Sequence, residues 1–311
     1  MKKNRFLFVA MLFAALSLGF VSCDDKKGNE PDNPIQEEQT EQSGSTENNG
    51  GGSASDLGED EGDSSDAPVS NFTPAAFSVS ADKKVYFSPA NLQYHPLNDE
   101  WRFAENQTDV VGNGNTNIST TYDGWIDLFG WGTGNEPTRT IQNNGSYSTF
   151  VDWGTNSIGT DAANTWRTMS ADELRYILSS RLNAAALNGI AHINGVNGLV
   201  LLPDDWVAIE GLTFNSGAYG HWSREYYAVH NTFTLEQWQQ MEEAGAIFLP
   251  TYGFRQGNSI YGSGSKGYYW TISPNGGCGP MNLEFSAEYI KINSAYRYSG
   301  LSVRLVKDIQ Q

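Results

Sequence analysis

The 311-residue sequence has few of the residues that mark several common protein classes. Two cysteines are too few for a disulfide-rich scaffold or a cysteine-ligated zinc cluster. The sequence has nineteen Lys and Arg and thirty-six Asp and Glu, which gives a net charge of −17. Such a chain lacks the excess of basic residues that binding to nucleic acid requires. The same charge would repel an anionic lipid surface. We therefore expect no nucleic-acid partner, and any membrane association needs an anchor.

Signatures of catalysis are also scarce. No two of the four histidines share the i, i+4 spacing of a zinc-hydrolase helix, and no Gly-x-Ser-x-Gly nucleophile elbow lies between a strand and a helix. Asp204 and Asp205 form a carboxylate pair that we interpret as hydrogen-bond acceptors in a turn. The sequence therefore predicts a protein that is not an enzyme and has no cofactor. A structural calcium at an Asp/Asn-rich loop remains an open alternative.

One long apolar run is present, at the N-terminus. Basic residues at 1–5 precede an apolar segment of about sixteen residues, which is short for a membrane-spanning helix of about 20. Ser22-Cys23 follows and resembles a bacterial lipoprotein processing site, which implies cleavage before Cys23 and acylation of its thiol. We predict a lipoprotein signal peptide over 1–22, with an ordinary secretory signal as the alternative. Asp24-Asp25 resembles the surface-export signal of lipoproteins in Bacteroidetes-type bacteria, which implies a lipid-anchored outer-membrane protein facing the extracellular side.

Residues 23–71 are rich in Asp, Glu, Gly, Ser and Asn and contain almost no large aliphatic residues. Such a composition cannot bury enough apolar surface to offset its conformational entropy. We predict a disordered acidic tether that holds the following domain away from the membrane.

Residues 72–311 have the composition of one globular domain. Short runs with period-two alternation predict strands, and two capping-box patterns, at Ser170 and at Thr234, predict two helices, the first of which runs through Arg181. Long loops rich in Gly, Asn and Trp separate these elements, notably over 105–165, where we predict an ordered region held in place by aromatic residues. The predicted fold class is α+β, with two helices and short, mainly antiparallel strands.

Several motifs of this domain occur in an order that resembles a known family. They include Val85-Tyr86-Phe87-Ser88, Gly124 to Gly132, Leu202-Pro203-Asp204-Asp205-Trp206 and Gly300 to Val306. Together they resemble the Fibrobacter-type major paralogous domain of surface lipoproteins, over most of 83–308. The resemblance implies a C-type-lectin-like fold, in which the two ends of the domain share a sheet, so that Val85–Phe87 pairs near Leu301–Val306. It implies no single activity.

Two relatives of that fold suggest chemistry that this sequence does not support. Formylglycine-generating enzymes need two active-site thiols, and the folded domain has only Cys278, which we interpret as a free loop cysteine. Calcium-dependent lectins use a Glu-Pro-Asn loop and a Trp-Asn-Asp strand. Asn135-Glu136-Pro137-Thr138 is a partial match to the first motif, and the second does not occur.

The strongest binding signal is aromatic and lies near the C-terminus. Alternating apolar residues at Leu283, Phe285, Ile290 and Ile292 predict an inward face, which leaves the intervening polar residues on the opposite, outward face. A Tyr-Arg-Tyr loop follows. In related C-type-lectin-like proteins diversified by retroelements this region forms the ligand surface, and an ordinary solvated face is the alternative here. The predicted ligand-binding residues are Asn282, Glu284, Ser286, Tyr289, Lys291, Asn293, Tyr296, Arg297 and Tyr298.

The sequence favours a surface lipoprotein that binds an extracellular glycan or protein without catalysis. Two alternatives remain open: a structural or fimbria-associated adhesin component of the envelope, and an enzyme on the formylglycine-generating-enzyme-like fold. Bound metal or turnover would support the enzyme, and co-purification within a filament would support the structural component.

Overall fold

A computed structural model describes residues 72–217 and 231–310. Within these ranges the chain is a mixed α+β structure of short strands and two α-helices, α1 (Ala171–Arg175) and α2 (Leu235–Glu243). The strands are β1 (Phe77–Ser78), β2 (Lys84–Phe87), β3 (Leu92–His95), β4 (Glu100–Phe103), β5 (Asn188–Ile193), β6 (Val196–Leu201), β7 (Thr232–Phe233), β8 (Ile247–Pro250), β9 (Phe254–Gln256), β10 (Ser259–Tyr261), β11 (Lys266–Trp270), β12 (Met281–Ser286), β13 (Tyr289–Ser294) and β14 (Val306–Asp308).

The strands form five small sheets, with orders β1-β2-β14, β3-β4, β7-β5-β6-β8, β10-β9 and β11-β12-β13. Every pair is antiparallel except β5–β7, which is parallel. This architecture confirms the prediction of an α+β domain with mainly antiparallel strands.

Both helices begin at the predicted capping boxes. The Ser170 hydroxyl accepts from the Glu173 N–H at 3.2 Å, and the Glu173 carboxylate accepts from the Ser170 N–H at 2.7 Å. Thr234 and Gln237 form the same reciprocal pair at the start of α2. The first helix is shorter than the predicted span to Arg181, because its regular α-helical part ends at Arg175 and a π-helical turn over Tyr176–Ser180 completes it.

The two ends of the domain meet in one sheet. Val306 pairs with Phe87 and Asp308 pairs with Val85, so the expectation that Val85–Phe87 pairs near Leu301–Val306 is confirmed, although the paired strand begins only at Val306. On its other edge β2 pairs with β1, whose Phe77 is fully buried. The segment from 301 to 306 connects this sheet to the Tyr-Arg-Tyr loop.

Three clusters of buried apolar side chains form the interior. The first packs the terminal sheet and α1 against one face of β11-β12-β13, through residues such as Phe87, Leu174 and Phe285. The second is aromatic and includes Trp131 and Trp153 from the long loop region. This confirms that aromatic residues hold the 105–165 region in place. The third lies between α2 and β6, β8.

Several predicted features lie outside the described residues. These are the signal peptide at 1–22, Cys23, the tether at 23–71, His221, His230 and the side chain of Cys278. Among the residues that the structure describes, no helix combines the length and apolar character needed to cross a membrane.

Candidate functional site

The predicted binding residues lie on a hairpin and on the loop that follows it. Strands β12 and β13 pair in register, with Leu283 opposite Ile292 and Glu284 opposite Lys291. Leu283 and Phe285 are fully buried and Ile290 is 3% exposed, in the first apolar cluster. The alternation therefore places apolar and polar residues on opposite faces, as predicted.

The polar face is not the open surface that the alternation predicts. Asn282, Glu284 and Ser286 are 1%, 2% and 7% exposed, so the expectation that these three point into solvent is wrong. The cause lies in the neighbouring strands. Tyr268 of β11 lies opposite Glu284 on the same face and packs edge-on against Phe254 of β9 at 5.5 Å between ring centroids. Tyr268 therefore shares this face with Glu284 and is itself buried, at 1% exposed.

Glu284 is the centre of a bonded polar network. The Tyr289 hydroxyl donates to its Oε1, the Asn293 amide donates to Oε2 at 2.6 Å, and the Lys291 ammonium lies 3.6 Å from Oε2. Burial, together with the adjacent Glu284 carboxylate, raises the pKa of Tyr289, so its hydroxyl stays a proton donor. The Lys291 nitrogen also lies 4.4 Å from the centroid of the Tyr289 ring. Tyr289, Lys291 and Asn293 therefore hold a buried carboxylate, and their free capacity for a ligand is reduced.

Two further predicted binding residues, Ser286 and Asn282, are also buried. The Ser286 hydroxyl accepts from the Glu288 N–H at 3.1 Å, which closes the turn between β12 and β13. The Asn282 Oδ1 atom is buried and has no hydrogen-bond partner among the described residues. Of the nine predicted residues, the structure leaves Tyr296, Arg297 and Tyr298 as those most available for a ligand.

These three residues form an aromatic platform, which we define as Tyr296, Arg297 and Tyr298. The two tyrosine rings stack in parallel, with centroids 5.1 Å apart and an interplanar angle of 6°. The Arg297 guanidinium lies 5.2 Å from the centroid of the Trp131 ring. All three side chains are half-buried. Flat rings with polar edges suit both sugar rings and protein partners.

Hydrogen bonds from Arg297, and from Gly300 just after the platform, hold this loop to neighbouring segments of the domain. The Arg297 N–H donates to Asn144 Oδ1 at 2.9 Å, and the Arg297 carbonyl accepts from the Trp131 N–H at 2.8 Å. Beyond the platform, Gly300 and Arg255 exchange two backbone hydrogen bonds of 2.8 Å. A loop held in this way loses little conformational entropy when a ligand binds.

A cleft of about 280 Å³ is lined in part by Trp131, whose ring centroid lies 5.2 Å from the Arg297 guanidinium. Segments 131–136 and 146–151 form its walls, with Arg139 between them. Arg139 pairs with Glu136 at 2.6 Å, and its guanidinium lies 5.5 Å from the centroid of the Tyr147 ring. Asn135 and Glu136 belong to the partial lectin motif, but the sequence did not predict the cleft, for which the density of aromatic and polar residues over 105–165 was the available signal.

The carboxylate pair at 204–205 lies apart from this region and is structural. Asp204 accepts from the Ser78 N–H and hydroxyl, and it pairs with Arg181 at 3.2 Å and Lys84 at 3.1 Å. Burial favours a higher pKa for Asp204, but these hydrogen bonds and cations outweigh it and hold the pKa below the ordinary value. The interpretation of Asp204 as a hydrogen-bond acceptor is therefore confirmed.

Metal chemistry has little basis in the described part of the chain. No group of three or more His, Cys, Asp or Glu side chains is arranged there to hold an ion. Glu136 of the partial lectin motif pairs with Arg139 instead. A structural calcium remains a prediction without a defined site.

Comparison with protein-family models, with curated proteins and with solved structures gave no match. The interpretation of the site therefore depends on its residues and geometry.

Proposed function

We propose that this protein is a lipid-anchored receptor on the outer face of the outer membrane, which binds an extracellular glycan or protein without catalysis. The observation that carries the proposal is the aromatic platform. Two parallel tyrosine rings and an arginine are presented together on a loop that is clamped on both sides. Binding surfaces are enriched in tyrosine and arginine, because these side chains offer large contact areas with polar edges.

We propose a C-type-lectin-like fold for the domain. The pairing of β2 with β1 and β14 supports it, because the resemblance to the Fibrobacter-type major paralogous domain implies that both ends of the domain share one sheet. The presence of two helices and of long ordered loops agrees with the same fold.

The absence of catalysis is part of the proposal. Glu284, the carboxylate in the predicted binding region, is bonded to Tyr289, Asn293 and Lys291, and none of these bonds leaves it free to move a proton on a ligand. Asp204 is similarly occupied by Ser78, Arg181 and Lys84. These observations support a binding role over a hydrolytic one.

The experiment replaces the platform tyrosines and measures ligand capture. We expect the double substitution Tyr296→Ala and Tyr298→Ala to lower retention of host-mucus components by at least tenfold, because tyrosine is one of the residues that contribute most to an interface. The matched control is Tyr261→Ala, since Tyr261 is an exposed tyrosine outside the platform. Surface substitutions of this kind change the free energy of unfolding by about 0.5 kcal/mol, so both variants should melt close to the wild type.

Full capture by the platform variant, with normal melting, would locate the ligand site elsewhere and contradict the proposal. Tyr289→Ala is a poor probe, although the sequence suggests it. It removes a donor to the buried Glu284 carboxylate, so a loss of capture could result from local unfolding.

A further inference from the structure

The lining of the cleft between segments 131–136 and 146–151 carries no net charge. Its charged residues are Glu136 and Arg139, and the Arg139 Nε atom lies 2.6 Å from Glu136 Oε2. A charged ligand would find no free opposite charge here, and taking an unpaired charge out of water is costly. The cleft therefore favours a neutral ligand.

This ion pair is fixed in place and still has hydrogen-bonding capacity. The Arg139 N–H donates to the Glu136 carbonyl at 3.0 Å, and Arg139 Nη1 donates to the Ser146 carbonyl on the other wall. The guanidinium also lies 5.5 Å from the centroid of the Tyr147 ring. Within 72–217 and 231–310, Arg139 Nη2 and Glu136 Oε1 make no hydrogen bond. The pair therefore presents a donor and an acceptor from one turn.

Uncharged hydrogen-bonding side chains lie on both walls of the cleft. Asn135 belongs to one wall, and Ser148 and Thr149 belong to the other. All three are exposed, and their side chains make no hydrogen bond within the described part of the chain. Together with Glu136 and Arg139 they line the cleft with both donors and acceptors. Such a mixture matches a ring that carries several hydroxyls, because each hydroxyl can both donate and accept.

The aromatic residues of the lining offer little open ring surface. Trp131 and Tyr147 are 4% and 2% exposed, so an apolar ligand would find little to pack against. Ring surface is available instead at the platform, where the backbone of Arg297 is hydrogen-bonded to Trp131 and to Asn144. Recognition in the cleft would therefore depend on hydrogen bonds, and recognition at the platform on stacking.

Backbone hydrogen bonds fix the two walls to each other. The Val151 N–H donates to the Gly132 carbonyl and the Gly134 N–H donates to the Val151 carbonyl, both at 3.0 Å. Gly132 has a φ of 66°, and a Cβ atom there would lie 2.6 Å from the Phe150 Cα, so the close approach requires glycine. A preformed cleft loses little conformational entropy on binding. Its volume of about 280 Å³ is at the lower end of the roughly 300–1,000 Å³ range of small-molecule pockets, which fits a unit of one ring.

We propose that the cleft binds a neutral sugar unit, with two adjacent ring hydroxyls bonded by Glu136 and Arg139. Further hydroxyls bond to the exposed side chains of Asn135, Ser148 and Thr149. This inference rests on the proposed function and narrows its ligand to a glycan, since the unit in the cleft would be part of the ligand that the platform holds. A carboxylate and a guanidinium suit this role, because hydrogen bonds with one charged member are about twice as strong as neutral ones.

The test uses the full chain on an array of neutral and acidic oligosaccharides. Each neutral member stands beside a counterpart in which periodate has cleaved the bonds between adjacent hydroxyl-bearing carbons. We expect the wild type to bind at least one neutral class at least tenfold more tightly than its oxidised counterpart. Because such a ligand has no charge to screen, added salt should leave its affinity within about twofold.

Two variants test the two walls separately. Glu136→Gln keeps the size of the side chain but removes the charged acceptor, so we expect it to weaken binding of the neutral sugar at least tenfold. Ser148→Ala with Thr149→Ala removes two hydroxyls from the other wall and should also weaken binding. The matched control is Glu105→Gln, since Glu105 is likewise exposed and pairs with an arginine three residues away, Arg102, at 3.8 Å. This control should bind like the wild type.

Each outcome decides a separate question. Equal binding of intact and oxidised members, a preference for acidic members, or unchanged affinity in a normally folded Glu136→Gln variant would overturn the neutral-sugar proposal. If mucus capture still depends on Tyr296 and Tyr298 in that case, the proposed function stands without the sugar unit in the cleft. Capture that is lost from protease-treated mucus but kept by periodate-treated mucus would identify a protein ligand, which overturns the sugar proposal and leaves the receptor function.

Discussion

Single residues in this domain carry roles that the polar or apolar pattern of the sequence does not reveal. Glu284 reads as one of several outward polar residues, yet it is 2% exposed and bonded by Tyr289 and Asn293. The pattern of a strand fixes which residues share a face. It contains no information on whether that face is buried in the folded domain. For this reason the sequence predicted the region of the candidate site but not which of its side chains are accessible.

A second buried carboxyl belongs to Asp127 in the long loop region, where it bonds to Asn115 and to the Val111 N–H. Burial raises the pKa of Asp127 to about 6, although these hydrogen bonds oppose the rise. The folded state therefore keeps a proton that the unfolded state, with an ordinary value of 3.8, has already released. Because the unfolded state binds fewer protons in this window, stability falls as the pH rises through it.

We predict that the wild type loses stability between about pH 4 and pH 6 relative to Asp127→Asn. The pKa difference corresponds to about 3 kcal/mol in the free energy of unfolding. Thermal melting at half-unit steps of pH would measure the difference, with the exposed Asp205→Asn as control. If the wild type and Asp127→Asn show parallel profiles, Asp127 does not titrate in this window.

At the scale of elements, the sequence correctly predicted the features that interactions between neighbouring residues determine, such as the starts of the helices. The capping boxes at Ser170 and Thr234 define helix starts through hydrogen bonds between residues three apart, and both were found where the sequence placed them. The regular α-helix ends before the predicted Arg181, because the π-helical turn over Tyr176–Ser180 is not specified by a capping pattern. The cleft was also missed, since it forms between two loop segments whose approach depends on the aromatic core.

The turn before β12 depends on one glycine. Gly279 has a φ of 86°, and a Cβ atom there would lie 2.3 Å from the Ala295 carbonyl oxygen, next to the platform. Gly277, two residues earlier, has open space around its Cα and no left-handed backbone.

We expect Gly279→Ala to lower the free energy of unfolding by at least about 1 kcal/mol, because it combines backbone strain with a steric clash. Gly277→Ala is the matched control and should be close to neutral. Denaturant titration of both variants would measure the difference. Equal stability of the two would show that the turn relaxes freely and does not support the platform.

At the scale of the whole molecule, the proposed anchor and the candidate binding site lie far apart in the sequence. The structure describes the domain from Phe72 onward, and the platform begins more than 200 residues after Phe72. The anchor, the tether and their boundaries at residues 22 and 71 rest on the sequence, as do the outer-membrane location and the absence of a nucleic-acid partner.

We predict that Cys23→Ala releases the protein from membranes, because acyl chains on one cysteine would supply the apolar surface that holds it, at about 0.8 kcal/mol per buried CH₂. Detergent phase partitioning would measure the change. Cys278→Ser is the matched control, since it replaces the other cysteine of the chain and should stay in the detergent phase. Identical partitioning of wild type and Cys23→Ala would contradict lipidation at this residue.

The attachment of β1 has a mechanical consequence. A chain pulled at Phe72 transmits tension into β1, where the Ser78 N–H and hydroxyl are both bonded to Asp204 and Asp204 is paired with Arg181. The load on β1 is therefore shared between two connections. One is its pairing with β2, and the other runs through Asp204 to Arg181 at the end of the π-helical turn. A ligand held at the platform and a surface held at the N-terminus would then load the domain through these bonds, so removal of the Asp204 carboxylate would lower the force needed to detach β1.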